Sequence, residues 1–177
     1  MLIQHILQSE ITLQITGTAG SGKTHFLKLL LNEAISQSQF EKIEIFSLRK
    51  EEWKEFEKYE NVEHIHLTEF MQRKISEETK NCPKLILVDG FYEICEFENR
   101  FHKATDFEER EVFLKKYILK NGRMAHRKVI VSDQTGFLEL PSQKISFNTR
   151  ESLKKRGNFI FEEETSMNEV DERVHHV

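Results

Sequence analysis

The sequence predicts an α/β fold, a three-layer sandwich in which helices cover both faces of a mostly parallel central sheet. Two observations support this. Short apolar segments alternate along the chain with longer segments rich in helix formers. In addition, residues 84–89 and 128–133 are almost uninterrupted apolar runs, which is typical of strands buried on both faces of a parallel sheet. A chain of 177 residues is long enough for one such domain.

Strands are expected wherever a short apolar run, alternating or continuous, is bounded by polar or turn-forming residues. The first strand alternates apolar and polar side chains, as expected if one of its faces is polar. The strands at residues 84–89 and 128–133 are instead continuous apolar runs that end in polar residues. In chain order the expected strands are residues 11–16, 42–48, 62–67, 84–89, 128–133, 144–149 and 158–164.

Helices are expected in the longer segments between these strands. Trp53 and Phe56 recur at helical spacing in a charged stretch, Thr68 is a plausible N-cap, and Gly122 closes an amphipathic segment. The expected helices are residues 25–35, 51–60, 68–78 and 107–121. Residues 1–163 are then assigned to one domain, and residues 164–177 to an acidic, flexible C-terminal tail.

A glycine-rich loop lies between the first expected strand and helix. Residues 17–25 read GTAGSGKTH and satisfy G-x-x-x-x-G-K-[ST] at every fixed position. A strand, glycine loop and helix in this order direct backbone N–H groups at a phosphate, at the positive end of the helix. We expect Lys23 to reach the β- and γ-phosphates of ATP and the Thr24 hydroxyl to hold Mg²⁺. The expected nucleotide-binding residues are Gly17, Thr18, Ala19, Gly20, Ser21, Gly22, Lys23, Thr24 and His25.

A second acidic motif follows the strand at residues 84–89. Asp89 ends this strand, where α/β sheets place their ligands, and is expected to hold Mg²⁺ through a water. Most DNA-handling ATPases place a glutamate directly after this acid, to aim the attacking water; here the next residue is Gly90. Glu93 can take that role only if the backbone bends to bring it back. The motif therefore predicts ATP binding with slow hydrolysis.

A third feature is the polar tip of the strand at residues 128–133. Ser132, Asp133 and Gln134 follow the apolar run. In ATPases with an extra strand between the glycine-loop strand and the acidic strand, a polar residue at this tip touches the γ-phosphate and its water. Gln134 fits this role because its amide both donates and accepts hydrogen bonds, and Asp133 is the competing candidate.

The order of these features resembles the FtsK/HerA branch of P-loop ATPases, the DNA-pumping motors of chromosome segregation, conjugation and phage packaging. The matching segments are GTAGSGKT at residues 17–24, NGRMAHRKVIVSDQTG at 121–136 and ISFNTRESLKKRGNFIF at 145–161. The resemblance extends over about residues 8–162, and only the glycine loop is specific by itself. Gly90 departs from the family pattern.

The resemblance implies a P-loop NTPase with a RecA-like fold that uses ATP and Mg²⁺. It implies that Lys23 and Asp89 are catalytic, that Asp89 and Thr24 are the metal residues, and that Gln134 is the sensor. An open P-loop site with no lid usually needs an arginine from a neighbouring subunit, so we also expect a homo-oligomer, a ring being one form. The candidate arginine fingers are Arg123, Arg150 and Arg156.

Two other interpretations remain open on the residues. GSGKTHFL at 20–27 and SDQTGFLELP at 132–141 also resemble AAA+ replication initiators and helicase loaders. Asp-Gly-Phe at 89–91 occurs in small nucleotide kinases, which must not activate water and so need no glutamate. The Pro-Arg that follows it in those kinases is absent here, where Tyr92 and Glu93 stand instead.

The net charge and composition of the chain limit which partners and which cellular location we expect. A net charge of −4 excludes binding of polyanions by the whole surface, but residues 115–128 carry six basic residues and no acid, and residues 154–156 carry three more. These segments are either nucleic-acid contacts or ordinary solvated faces. Protein partners are equally open. The two cysteines suggest reduced thiols, and the chain has neither a secretory signal nor an apolar run of about 20 residues, so we expect a cytoplasmic protein without a membrane segment.

Overall fold

The computed structural model describes residues 2–72, 82–97, 105–134, 142–147, 158–166 and 169–176. The strands are β1 (Leu13–Gly17), β2 (Lys42–Ser47), β3 (Val62–Ile65), β4 (Lys84–Asp89), β5 (Arg127–Asp133), β6 (Gln143–Phe147), β7 (Asn158–Ser166) and β8 (Glu169–His176). The helices are α1 (Leu2–Gln8), α2 (Lys23–Ser36), α3 (Lys50–Trp53), α4 (Leu67–Gln72), α5 (Phe91–Phe97) and α6 (Thr105–Asn121), with a 3-10 turn at Lys54–Phe56.

The strands form one eight-stranded sheet in the order β3-β2-β4-β5-β1-β6-β7-β8. Every pairing from β3 to β6 is parallel, whereas β7 runs antiparallel to both β6 and β8. The sheet is therefore mostly parallel, as predicted. Strand β5 lies between β1 and β4, so the expected extra strand does separate the glycine-loop strand from the acidic strand.

The two faces of the sheet carry separate apolar cores. In β4, Leu85 and Leu87 face a core built with α1, α2, α3 and the 3-10 turn. Ile86 and Val88, on the opposite face, pack with side chains of α4, α5 and α6. All four residues are fully buried, which explains why this strand is a continuous apolar run in sequence. Helices on both faces confirm the predicted three-layer sandwich.

Each of the seven expected strand segments contains a strand, but several helices differ from the expectation. The stretch at 51–60 forms only the four-residue α3 and the 3-10 turn, and the predicted helix at 68–78 corresponds to α4, with residues 73–81 lying outside the described part of the chain. Helices α1 and α5 were not predicted. Both have seven residues, too short for their apolar spacing to stand out in a sequence.

The C-terminal segment corrects the expectation of a flexible tail after residue 163. Strand β7 continues to Ser166, and β8 pairs with it in antiparallel register from Asn158↔His176 to Ser166↔Glu169. The acidic composition suggested fraying, but a hairpin gains its ladder hydrogen bonds from the backbone, which composition does not report.

The parallel arrangement brings the carboxyl ends of β1, β2, β4 and β5 to one edge of the sheet, where α/β folds bind ligands. The glycine loop begins at the end of β1, and the acidic motif follows β4. None of the described helices is long and apolar enough to cross a bilayer.

Candidate nucleotide site

The loop between β1 and α2 presents the first-turn backbone of α2 to the cleft. Ser21 N donates to the Thr18 carbonyl at 3.2 Å, which closes the loop on itself. Helix α2 begins directly after Gly22, which has no side chain to cap the helix, so the first-turn N–H groups are left for an external acceptor. Gly17 has φ 150°, and a Cβ there would lie 2.7 Å from the Phe147 Cβ. Only glycine therefore fits at the entrance to the loop.

Lys23 lies in the first turn of α2 with its ammonium against the loop. Its Nζ donates to the Gly17 carbonyl at 2.6 Å and to the Thr18 carbonyl at 2.9 Å. Burial lowers the pKa of Lys23, against the opposing influence of the carboxylates of Asp89 and Asp133. The side chain is thus placed among the groups expected to surround a triphosphate.

Asp89 joins three elements at its carboxylate. The Thr24 hydroxyl, from α2, donates to Asp89 Oδ2 at 3.1 Å. The Ser132 hydroxyl, from β5, donates to Asp89 Oδ1 at 2.9 Å. Burial raises the pKa of Asp89, while the hydrogen bonds from Ser132 and Thr24 lower it. A hydroxyl and a carboxylate side by side are oxygen ligands of the kind that Mg²⁺ takes beside a phosphate, so these residues fit the expected metal.

The backbone turns at Gly90 and brings Glu93 back toward it, which is the condition for Glu93 to orient water. Gly90 has φ 82°, and its carbonyl accepts Ile94 N at 2.9 Å, so α5 begins immediately after it. One helical turn then brings Glu93 back over Gly90. A Cβ built at Gly90 would lie 3.0 Å from Glu93 Oε2 and 3.4 Å from the Glu93 Cβ. The carboxylate therefore lies beside the place where a side chain of residue 90 would start.

Strand β5 anchors the start of α5 through Asp133. Asp133 Oδ2 accepts the Tyr92 N–H at 3.2 Å, and Oδ1 accepts the Gln134 N–H at 2.7 Å. Burial raises the pKa of Asp133, against the two backbone hydrogen bonds. Gln134 is exposed and faces the same cleft. Of the two candidates at this tip, Asp133 is the one whose side chain is tied to the turn that carries Glu93.

Arg49 is a site residue that the sequence did not indicate. It follows β2, whose end lies beside that of β4, and its Nη2 lies 3.4 Å from Glu93 Oε1. Its Nη1 lies 3.5 Å from Glu52 Oε1. The charge of Glu93 raises the pKa of Arg49. The rule that located Asp89 and Ser132, a polar residue just beyond a strand's carboxyl end, would have located Arg49 had it been applied to residues 42–48.

These groups surround one cleft of about 740 Å³ at the carboxyl edge of the sheet. Its walls are the loop at residues 19–25, the tips of β4 and β5, the first turns of α5, and Arg49. The structure thus brings together the glycine loop, Asp89, Glu93 and Gln134, which were predicted separately from segments far apart in sequence.

Of the three candidate arginine fingers, the structure describes only Arg123. Arg123 is exposed between α6 and β5, at the end of β5 opposite the cleft. A strand as long as β5 spans roughly 20 Å, so Arg123 does not reach the cleft of its own chain. Arg150 and Arg156 lie outside the described residues.

The basic segment at residues 115–128 does not form one surface. Arg127 and Lys128 are both 1% exposed, at the buried start of β5. Lys128 donates to the Ile11 carbonyl at 2.6 Å, and Lys115 pairs with Glu111 one turn earlier in α6. Two of the six basic residues are therefore buried in the fold, and a third is paired along α6. The second basic segment, residues 154–156, lies outside the described part of the chain.

Comparison with known proteins agrees with this architecture. No family model matches the chain, and no curated protein matches its sequence. Among solved structures, the genome packaging NTPase B204 of Sulfolobus turreted icosahedral virus 2, in complex with ATP-gammaS, matches with a TM-score of 0.54 and 15% identity, over 93% of this chain and 96% of that one.

Two further structures match as well. The pCW3 conjugation coupling protein TcpA, with ATPgS, has a TM-score of 0.61 and 12% identity; the match spans 94% of this chain but only 60% of that one. A KaiC-like protein from the hyperthermophilic archaeon Pyrococcus horikoshii OT3 has a TM-score of 0.55 and 17% identity, over 95% and 82% of the two chains. At these identities the likeness shows the fold. The chain has the P-loop NTPase fold of the RecA-like type, and at that level the resemblance predicted from the sequence is confirmed.

Proposed function

We propose that this chain binds Mg-ATP in the cleft and is an ATPase of the FtsK/HerA kind, acting in DNA transfer, segregation or packaging. The observation that carries the proposal is the meeting of Lys23, Thr24, Asp89 and Ser132 at the carboxyl edge of a sheet with an inserted β5. Two structural neighbours support it, since one is a packaging NTPase and the other a conjugation coupling protein, each in complex with an ATP analogue.

In this proposal the first turn of α2 binds the phosphates and Lys23 moves from the loop carbonyls to the β- and γ-phosphates. Thr24 and Asp89 would hold Mg²⁺, which would supply positive charge to the phosphate oxygens. Ser132 keeps Asp89 oriented by its hydrogen bond at 2.9 Å. These residues account for binding and for charge stabilisation, but none of them orients water.

Glu93 is our candidate for the water-orienting group. Its carboxylate lies beside Gly90 and is the acid that α5 returns to the cleft. In hydrolysis it would hold the water that attacks the γ-phosphorus, and it would accept the proton as the bond to the β,γ-bridging oxygen breaks and ADP leaves. Because Arg49 must leave this carboxylate before Glu93 can hold water, and is the only arginine among the described lining residues, we expect slow turnover by the isolated chain.

The first experiment measures nucleotide affinity of the wild type and Lys23→Ala by titration calorimetry in Mg²⁺ buffer. We expect at least a tenfold loss of ATP affinity, because the ammonium makes charge-assisted contacts worth about 1.5–3 kcal/mol. Lys54→Ala is the matched control, since Lys54 is 68% exposed on the 3-10 turn and pairs only loosely with Glu51. Equal affinity in wild type and Lys23→Ala would refute the proposed site.

The second experiment separates the proposed activity from its alternatives. Turnover is measured alone, with double-stranded DNA, and with nucleoside monophosphates. DNA stimulation that Lys23→Ala abolishes supports the DNA motor. Turnover that requires a monophosphate supports a small nucleotide kinase. Turnover stimulated only by a protein partner supports an initiator- or loader-type ATPase.

A further inference from the structure

Arg49 occupies a position between two anionic groups of the cleft. Its Nη2 lies 3.4 Å from Glu93 Oε1 and 3.5 Å from Glu93 Oε2, so one guanidinium nitrogen spans both carboxylate oxygens. Its Nη1 lies 3.5 Å from Glu52 Oε1. The side chains of Arg49 and Glu93 are 54% and 50% exposed, so the pair is of the partly solvated kind that exchanges partners readily.

The guanidinium is also close to the phosphate-binding lysine. Arg49 is among the charges that lower the pKa of Lys23, and Glu93 is among those that raise it, so all three groups share one electrostatic environment. Arg49 and Lys23 both line the cleft. A terminal phosphate held by Lys23 would therefore compete with Glu93 for the same guanidinium, and phosphate oxygens are strong acceptors for its planar donors.

We propose that Arg49 distinguishes ATP from ADP by exchanging Glu93 for the γ-phosphate, and that this exchange frees Glu93 to hold the attacking water. The inference rests on the proposed function. A carboxylate paired with a guanidinium at both oxygens is a weaker proton acceptor, and the guanidinium stands where water would approach it. In this scheme the γ-phosphate of ATP draws Arg49 away from Glu93, and Glu93 can then hold the attacking water. ADP has no γ-phosphate, so Arg49 stays paired with Glu93.

The backbone around Arg49 suits this exchange. Arg49 N donates to the Ser47 hydroxyl at 3.1 Å, which fixes the backbone at the end of β2. Only the long side chain then has to turn from one acceptor to the other. Glu52, one turn along on α3, remains within reach of the other guanidinium nitrogen and keeps the side chain near the cleft.

The test compares affinities for ATP and ADP by calorimetry, in wild type, Arg49→Gln, Arg49→Lys and Lys50→Gln. We expect Arg49→Gln to weaken a non-hydrolysable ATP analogue about tenfold or more and to leave ADP within about twofold, because only the triphosphate offers the second acceptor. Arg49→Lys should keep part of the preference, since it keeps the charge but loses the planar donors. Lys50→Gln is the matched control: Lys50 is the adjacent cation, outside the cleft, and pairs with Glu57 at 3.6 Å.

A second readout separates a phosphate contact from a merely structural role. Loss of Arg49 should raise the KM for ATP hydrolysis and leave kcat nearly unchanged, because in the ATP complex Glu93 is already free of the guanidinium. An unchanged ratio of ATP to ADP affinity in Arg49→Gln, with Lys23→Ala still defective, would overturn this inference and leave the proposed function standing. Failure of the wild type to bind either nucleotide would overturn both.

Discussion

Gly90 combines a motif position that usually carries glutamate with a backbone conformation that favours glycine. Its φ is 82°, a region in which a Cβ costs about 1 kcal/mol or more. A Cβ at this position would also lie 3.0 Å from Glu93 Oε2. Installing glutamate at residue 90 would thus strain the turn and displace the existing acid. Glycine at residue 90 is better explained by the turn it allows, which positions the Glu93 carboxylate beside it.

Glu93→Gln tests this assignment directly. The amide keeps the size and most contacts of the side chain but cannot accept a proton, so Mg-ATP affinity should stay within about twofold and hydrolysis should fall about 10²- to 10⁴-fold. Release of labelled phosphate in a single turnover measures this even when turnover is slow. Glu96→Gln is the matched control, because Glu96 is an exposed acid of α5 that lines the same cleft. A wild-type rate in Glu93→Gln would mean that the water-orienting group comes from another residue or another chain.

At the scale of the elements, a buried charge cluster fixes α6 to the sheet near the strand starts. Glu44 of β2 is 0% exposed and Lys84 of β4 is 2% exposed, with Lys84 Nζ 3.0 Å from Glu44 Oε1. The hydroxyl of Tyr117, from α6, donates to Glu44 Oε2 at 2.5 Å, and Lys42 Nζ lies 2.9 Å from Oε1. One carboxylate thus joins two strands and a helix at the end of the sheet opposite the cleft.

Glu44→Gln should destabilise the fold by about 3 kcal/mol or more, because it breaks a buried pair and removes the negative charge 3.0 Å from the buried Lys84 ammonium. Urea unfolding at neutral pH measures the loss. Glu63→Gln is the matched control: Glu63 also pairs with Lys42, at 3.3 Å, but is 36% exposed, so its loss should cost about 1 kcal/mol or less. Equal losses in the two variants would contradict the importance of burial here.

The same carboxylate predicts a pH dependence of stability. Burial by itself raises the pKa of Glu44, but the hydrogen bonds from Tyr117 and Lys42 and the charge of Lys84 outweigh it and lower the pKa overall. A carboxyl whose pKa is lower in the folded state contributes stability that is fully present above its unfolded pKa of about 4. That contribution is lost as the pH falls through the lowered folded value. The difference in unfolding free energy between wild type and Glu44→Gln should therefore shrink on acidification below about pH 4, and a constant difference would contradict this account.

The elements also show which parts of the structure a sequence can predict. Continuous apolar runs predicted β4 and β5 because a strand buried on both faces has no polar side to interrupt it. The glycine loop was predicted because its spacing follows from the geometry of phosphate binding. Arg49 was not predicted, because its place depends on which strand ends lie side by side. The return of Glu93 could be stated only as a condition, because it depends on the dihedral angles of a single glycine.

At the scale of the whole molecule, the cleft is open and short of cations. Among its described lining residues Arg49 is the only arginine, and it is bound to Glu93 and Glu52. Phosphoryl transfer commonly draws an additional arginine to the developing charge, and a neighbouring subunit can supply it. Arg123 is exposed at the opposite end of β5, so as an arginine finger it could reach only the cleft of another chain. Arg150 and Arg156 remain candidates on the basis of the sequence.

We therefore expect self-association that ATP favours, with each cleft completed by the next subunit. Sedimentation with a non-hydrolysable ATP analogue should show an oligomer, a ring being the closed form of such head-to-tail contacts.

Mixing two inactive variants then identifies the arginine finger. Lys23→Ala has no working cleft and Arg123→Ala has no working finger, so each variant alone should be inactive. Their mixture should regain activity, because some interfaces pair an intact Arg123 with an intact Lys23. Lys120→Ala, an exposed cation at the end of α6, should behave as wild type in the same assay. Mixtures with Arg150→Ala or Arg156→Ala in place of Arg123→Ala test the other two candidates. A monomer at every concentration, with and without the analogue, would exclude a finger from a second copy.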